Sequence, residues 1–292
     1  MTLFDEPMSR YTTFGIGGAA DILVFPEATD DFLKILKICE RNNLPLTALG
    51  DGSNVLVSDE GIRGVVVITN KMNDVEILEN NRIRAQAGTR LSKLADAAVT
   101  AGLDGLAFAS GIPGTVGGAI YMNAGAYGHD IGEFIESVTL LMPDGAIVSK
   151  SAAEMGFGYR KSILADGSAM FVIEAVFKLR PGDPEKTRRE MKDLNARRKE
   201  SQPLEYRSAG STFKRPEGHF AGKLIEDSGL KGFGIGGAEV SEKHAGFIIN
   251  KGGATAKDVL ELIEAIRQKV HQNFGVWLEP EVRVIGGHKC VL

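Results

Sequence analysis

The feature that most constrains this chain is where its glycines fall. There are 36 in 292 residues, and many sit in three short clusters between apolar runs, with no repeat. Glycine loses the most backbone freedom on folding and in return allows positive φ and close approach. Such clusters therefore mark tight turns or places where a ligand touches the main chain. The first is Thr13-Phe14-Gly15-Ile16-Gly17-Gly18-Ala19, and the second is Gly50-Asp51-Gly52-Ser53-Asn54. The third is Ser110-Gly111-Ile112-Pro113-Gly114-Thr115-Val116-Gly117-Gly118-Ala119, continued by Asn123-Ala124-Gly125-Ala126-Tyr127-Gly128. Glycine turns leave successive N–H groups facing one concavity, which suits a phosphate, and Ser53 and Asn54 add side-chain donors. No Gly-Lys-Ser/Thr follows, so none is a P-loop. Gly15-x-Gly17 lacks the helix and the later acid of a dinucleotide fingerprint. Singly, each cluster reads as an ordinary tight turn; the second and third together point to an anion held on backbone amides.

Composition narrows what surrounds these turns. With 43% hydrophobic and 25% charged residues the chain has the balance of a folded globular protein, and its length suits two cores. A net charge of −4 gives no general attraction to nucleic acid. The basic runs Arg188-Arg189 and Arg197-Arg198-Lys199 lie among acids in a helical pattern and read as a solvated face. Met1 to Arg10 carries acids and no apolar run, so no secretion signal is expected. No stretch approaches the ~18 apolar residues that span a bilayer, and a cytoplasmic location is expected. Cys39 and Cys290 make neither a disulfide framework nor a metal cluster; Cys39 is expected in the core and Cys290 exposed in the tail. The histidines have no metal-ligand spacing. His244 either faces a substrate or, as expected, is structural, and Tyr127 is expected to pack on a ligand or on core.

The apolar positions Phe32, Ile35, Leu36 and Cys39 predict an amphipathic helix, with Thr29 or Asp30 capping its start and Asn42-Asn43 ending it. Strands are expected at 46–49, 55–58, 65–69, 75–78 and 83–87, and a helix at 91–101 stopped by Gly102. A strand at 137–142, a Pro143-Asp144-Gly145 turn and a return at 146–149 make a hairpin. Ser151-x-x-Glu154 has capping-box spacing, and a further strand covers 169–179. Arg180-Pro181-Gly182-Asp183-Pro184 reads as a linker, followed by a charged helix to about Glu200. Beyond it lie a short helix near 220–227, strands near 246–250 and 276–285, and a helix over 256–271. Thr255-x-x-Asp258 starts that last helix, and Val259, Leu260, Ile263, Ile266 and Val270 share one face. The organisation is α+β in two blocks.

Read in order, the motifs resemble a known family. They are Thr12-Thr13-Phe14 with Gly17-Gly18, Gly50-x-Gly52-Ser53-Asn54, Gly111-Ile112-Pro113-Gly114-x-x-Gly117-Gly118, Asn123 to Gly128, Tyr159-Arg160-x-Ser162, Ala209-Gly210-Ser211-x-Phe213-x-x-Pro216 and Pro280-Glu281-Val282-Arg283. The set is similar to the UDP-N-acetylenolpyruvoylglucosamine reductases, and its third cluster to the flavin segment of the vanillyl-alcohol-oxidase-type fold. The chain resembles the shorter of the family's two subtypes. Gly15 departs from it, since the family often has arginine there.

The resemblance implies an α+β fold with a two-subdomain FAD-binding domain over 1–182 (subdomains about 1–71 and 72–182). A linker helix over 183–200 and a C-terminal α+β substrate domain over 201–292 would follow. It implies non-covalent FAD, with NADPH as hydride donor and UDP-N-acetylglucosamine enolpyruvate as substrate. The implied cofactor contacts are Gly50, Gly52, Ser53, Asn54, Gly111, Ile112, Pro113, Gly114, Gly117, Gly118, Asn123, Gly125 and the phosphate-facing Arg198. Tyr159, Arg215, Lys223 and Arg283 are the implied substrate contacts. Arg160 would hold the enolate oxygen with its fork of donors, a protonated Glu281 would assist, and Ser211 would protonate the enolate carbon. Without the family, Ser211 is a turn serine, Arg160 a surface or ion-pair residue, and Glu281 a partner of Arg283 in a weak cross-strand pair. Another oxidase of the same flavin fold, or a binding protein that kept the scaffold, are the competing assignments.

Overall fold

A computed structural model of the chain describes residues 1–166 and 170–287. Six α-helices are present among them: α1 Thr29–Arg41, α2 Leu91–Thr100, α3 Val116–Met122, α4 Pro184–Ser201, α5 Ala221–Asp227 and α6 Ala256–Phe274. The described chain folds as two compact units that interleave in sequence. One is built from Met1–Thr2, Leu23–Asp51 and Val65–Arg198; the other from Leu3–Ile22, Gly52–Gly64 and the chain from Lys199 onward.

The first unit is organised by a five-stranded antiparallel sheet. Its strand order is Ile147–Ser151, Ile135–Leu141, Phe171–Lys178, Arg82–Gln86, Val75–Leu78. Inward residues alternate with period two, as a sheet with one packed face requires: Val138 and Leu140 on one strand, Ala175 and Phe177 on the next, Ile83 and Ala85 beyond. Leu91, Leu94, Ala95 and Ala98 of α2, with Val116, Ala119 and Ile120 of α3, complete that core. The expected turn after Leu141 forms, with Gly145 at φ +84 and Ala146 N–H donating to Asp144 Oδ1. Strand Leu46–Leu49 runs parallel to the adjoining part of Ile62–Ile68, Leu46 opposite Val65 and Leu49 opposite Ile68.

Several local expectations change. Ala28, not Thr29 or Asp30, is the N-cap of α1, because its extended backbone starts the turn without a side-chain bond. Ser151 and Glu154 make the bonds of a capping box, yet they close a turn and no helix follows. Arg180-Pro181 is more than a linker: it pairs with Leu103–Asp104 in a two-stranded ladder. The strand expected over 276–285 is reduced to Arg283–Ile285. Cys39 is buried as expected, and burial pushes its thiol pKa up. Cys290 lies outside the described residues.

The second unit holds a four-stranded sheet in the order Arg207–Ser211, Phe247–Asn250, Ala238–Val240, Gly234–Ile235. Its core joins Val259, Leu262, Ile263, Ile266 and Val270 of α6 to Ile225 of α5, Ile248 and Phe213, and to Phe14, Ile16 and Leu56 from early in the chain. The capping box of α6 is complete: Asp258 N–H donates to Thr255 Oγ1 at 3.1 Å and Thr255 N–H to Asp258 Oδ2 at 3.0 Å. Strand Val55–Val57, which leaves the second glycine cluster, pairs in parallel with Arg283–Ile285, Val55 opposite Arg283.

Candidate functional site

The first glycine cluster is a packing device. A Cβ on Gly17 would lie 2.6 Å from Val57 Cβ, and one on Gly18 would lie 2.2 Å from the Asp59 carbonyl oxygen. The chain here must pass against the strand that leaves the second cluster. Phe14 and Ile16 point into the core, while Thr13 Oγ1 donates to the Ser208 carbonyl at 2.7 Å. At Gly15 the space a side chain would fill is occupied by Arg207, whose Nη1 would stand 2.4 Å from a Cβ there.

In the first unit the second and third clusters meet. A Cβ on Gly50 would collide with Thr115 Oγ1 at 2.1 Å, and Arg90 Nε donates to Asp51 Oδ2 at 3.1 Å. Gly117 differs from its expected part as a phosphate donor. Its N–H donates to the Ala87 carbonyl at 2.8 Å, as that of Val116 does to Thr89 at 2.8 Å. The helix-starting amides are thus closed by the neighbouring chain, and glycine at 117 allows close packing on Ala87. Gly118 N–H faces its cap, Thr115 Oγ1, at 3.5 Å. The N–H groups of Asp51 and Gly114 donate to no described residue, which leaves them for an anion.

Arg198 supplies a charge on the same unit. Asn195 of α4 donates to Ser110 Oγ at 3.3 Å, and Arg198, three residues on, packs its Cδ over Gly111. Burial pulls the Arg198 guanidinium below the ordinary arginine range, and it makes no hydrogen bond or ion pair with a described residue. A desolvated cation without a carboxylate suits a phosphate. Ile112 packs against the core and Pro113 is exposed.

Arg160 is also in the first unit. Gly158 and Lys161 exchange both backbone hydrogen bonds, at 3.0 and 3.1 Å, around a two-residue turn of Tyr159 and Arg160. Arg160 has φ +52, uncommon for a residue with a Cβ. Its Nη2 donates to the Gly125 carbonyl at 3.1 Å, its Nη1 to Asp130 Oδ1 at 3.4 Å, and its guanidinium lies over the exposed Tyr159 ring at 5.0 Å. Gly125 and Asp130 are paired across a hairpin whose loop, Tyr127-Gly128, has positive φ at both positions, as a type I′ turn requires. Tyr127, expected on a ligand or on core, has an exposed ring whose hydroxyl donates to the Leu194 carbonyl of α4 at 2.9 Å. Asn123, expected against the cofactor, directs its side chain into the protein. It is 4% exposed, with Nδ2 donating to the Gly158 carbonyl at 2.9 Å and Oδ1 accepting from Gly132 N–H at 2.9 Å.

The second unit brings Ser211 and Glu281 together. A bulge in strand Arg207–Ser211, with Gly210 at φ +78, leaves Ser211 exposed at its end. Bulges re-aim a side chain in this way. Thr212, which sequence reading missed, is the joint. Its N–H donates to Gly246 O, its carbonyl accepts Glu281 N–H at 2.8 Å, and its Oγ1 accepts Ile248 N–H at 3.1 Å. Glu281 is held from its other side by Asn54 Nδ2, which donates to its carbonyl at 3.2 Å. Gly52 is crowded by the Tyr11 carbonyl, its N–H donates to no described residue, and Ser53 is half-buried beside it.

The substrate candidates are less convergent. Lys223 pairs with Asp227 one turn along α5 at 2.6 Å, a bond that raises its pKa. Arg215 lies 3.9 Å over the Phe220 ring, and its Nε donates to the His219 carbonyl. Arg283 is exposed on its strand. His244 is structural, its Nδ1 accepting Gly246 N–H at 3.1 Å. No group of metal-binding side chains occurs among the described residues.

Glycine-made turns, free amides and a half-buried arginine without a carboxylate suit a dinucleotide's diphosphate; a family model described as an FAD binding domain matches residues 20–151, and the fold is that of a flavin-binding protein. A second family model, UDP-N-acetylenolpyruvoylglucosamine reductase, C-terminal domain, matches residues 202–285. The UDP-N-acetylenolpyruvoylglucosamine reductase of Clostridium novyi (strain NT) is 53% identical over 279 residues, 96% of this chain and 90% of the relative. That of Caldanaerobacter subterraneus subsp. tengcongensis is 51% identical over 282 residues, 97% and 93% of the two chains. The crystal structure of UDP-N-acetylenolpyruvylglucosamine reductase (MurB) from Thermus caldophilus matches with a TM-score of 0.82 at 36% identity, covering 97% of this chain and 98% of that one. The chain belongs to the UDP-N-acetylenolpyruvoylglucosamine reductase family.

Proposed function

We propose that the chain reduces UDP-N-acetylglucosamine enolpyruvate to UDP-N-acetylmuramate in peptidoglycan precursor synthesis, with NADPH as electron source. One hydride and one proton add across the enolpyruvyl double bond. FAD, held in the first unit, would supply the two-electron chemistry that links NADPH to the terminal carbon of the enolpyruvyl group. The residues present fit that cofactor: the amides of Asp51 and Gly114 and the unpaired guanidinium of Arg198 offer donors to its diphosphate. Gly50, Gly111 and Gly117 keep the surrounding chain close, with the Gly52-Ser53-Asn54 stretch as a further part of the binding segment.

Hydride arrival at the terminal carbon leaves negative charge on the carboxylate-bearing side, as an enolate. Arg160 holds that oxygen with its remaining N–H groups, its guanidinium oriented by the bonds to Gly125 and Asp130. Ser211 gives the adjacent carbon its proton, and Glu281 assists at the enolate. What carries this reading is Thr212: one buried residue ties Ser211, its chain neighbour, to Glu281, far off in sequence. We assign FAD binding to residues 1–182, the connecting helix to 183–200 and the substrate domain to 201–292. Tyr159, Arg215, Lys223 and Arg283 are assigned to the sugar nucleotide. No described helix is long and apolar enough to cross a membrane, and we place the reaction in the cytoplasm, serving cell-wall growth and division.

The test is spectral. Purified protein is expected to be yellow, to bleach anaerobically with NADPH, and to recover its colour when the UDP-enolpyruvyl sugar is added. Recovery with air alone and none with the sugar nucleotide would overturn the assignment in favour of an oxidase.

A further inference from the structure

We propose that Asn123 is the positioning residue for Arg160, acting through the Gly158 carbonyl; this rests on the reading of Arg160 as the group that holds the enolate. The turn that carries Arg160 is strained. A non-glycine residue in the left-handed region is disfavoured and persists only where its surroundings over-determine it. Arg160 sits there at the second central position of its turn, with φ +52.

One short run of chain, Tyr121 to Asp130, supplies several of the bonds that restrain it. Ser162 Oγ donates to the Tyr121 carbonyl at 2.8 Å, Asn123 Nδ2 to Gly158 O at 2.9 Å, and Arg160 itself to Gly125 O and Asp130. Of these, Asn123 alone grips the backbone at the mouth of the turn. Its own geometry is suited to that and to little else. It closes α3 with φ 44, a conformation asparagine tolerates well. Its amide orientation is decided by its partners, since Gly158 C=O can only accept and Gly132 N–H can only donate. At 4% exposure it has no face left for a ligand.

Asn123→Asp separates the two halves of this bond pair. It keeps an oxygen for Gly132 N–H and tolerates the left-handed backbone, but sets a carboxylate oxygen against the Gly158 carbonyl. Anaerobic stopped-flow on the holoenzyme would follow both half-reactions. Asn123→Asp is expected to keep its flavin spectrum and its reduction by NADPH within about twofold. Reoxidation by the UDP-enolpyruvyl sugar should slow by roughly 10- to 100-fold, the scale of an ångström-level misplacement, in limiting rate more than in affinity. In an Arg160→Ala background the same change should add nothing. Hydrogen exchange at the Lys161 amide should quicken in Asn123→Asp, with no activity in the readout. A wild-type reoxidation rate, full additivity with Arg160→Ala, or unchanged Lys161 exchange would each overturn the proposal. Normal reoxidation in Arg160→Ala alone would instead overturn the role given to Arg160. Should Asn123→Asp not fold, Asn123→Gly keeps the backbone conformation, removes both side-chain bonds and is read the same way.

Discussion

Thr212 shows how much one hydroxyl can fix. The bulge before it removes a regular ladder acceptor, and Ile248 N–H bonds the Thr212 side chain instead. Thr212→Val keeps the shape and leaves that buried N–H unsatisfied, a loss of about 1–3 kcal/mol. A lower urea midpoint and slower product formation are expected, with Thr212→Ser restoring both. Ser211 itself is exposed and bears little of the packing. Ser211→Ala should leave flavin reduction by NADPH intact while slowing product formation by about 100-fold or more, as loss of a positioned proton donor does. Equal rates in both half-reactions would remove Ser211 from its role. His244 gives a pH signature. Burial lowers its pKa from 6.5, so the unfolded chain takes up the proton first. Stability is fully present above that unfolded value and is lost as pH falls through the folded one. In His244→Asn, whose Oδ1 replaces Nδ1 as acceptor, the urea midpoint should fall less steeply below pH 6.5 than in the parent.

At the scale of elements, local rules hold where the backbone alone decides and fail where a neighbour does. The Thr255 box starts α6, and Thr255→Ala should cost about 1 kcal/mol of stability, measured by thermal or urea unfolding. The same spacing at Ser151 and Glu154 closes a turn with no helix behind it. The long elements α1, α2 and α6 were legible because their apolar residues recur over several turns. Leu262 of α6 was missed and is fully buried, while Leu260 is only half-buried; the stripe lies slightly round the helix from the expected one. The paired segments Arg180–Pro181 and Gly125–Ala126 are two residues long and carry no period to read. Glycine is the clearest ambiguity. Close packing at Gly17 and Gly117 and a free amide at Gly114 look alike in sequence, because a missing Cβ serves both. Arg160 and Asn123 were legible as motif residues, but the bond that leads from one to the other's turn exists only in the folded chain.

At the scale of the whole molecule, chain order and compact units do not coincide. The second unit takes Leu3–Ile22 and Gly52–Gly64 from the beginning of the chain. Phe14, Ile16 and Leu56 from those segments are buried against residues such as Phe213, Ile248 and Val259. Strand Val55–Val57 has its parallel partner at Arg283–Ile285. A chain cut after residue 182 keeps every strand of the five-stranded sheet yet loses all of those partners. Each of the three stranded side chains would then expose apolar area worth about 1.5–3 kcal/mol, and the parallel strand would show unpaired donors and acceptors. The truncated protein is therefore expected to bind a dye such as anilinonaphthalene sulfonate and to aggregate, while the full chain does neither. Adding Phe14→Ser, Ile16→Thr and Leu56→Thr should restore solubility to the truncated chain and destabilise the full one. A truncated chain that stays monodisperse and dye-free without those changes would show that the early segments find cover elsewhere. The second unit would then not depend on them as its packing implies.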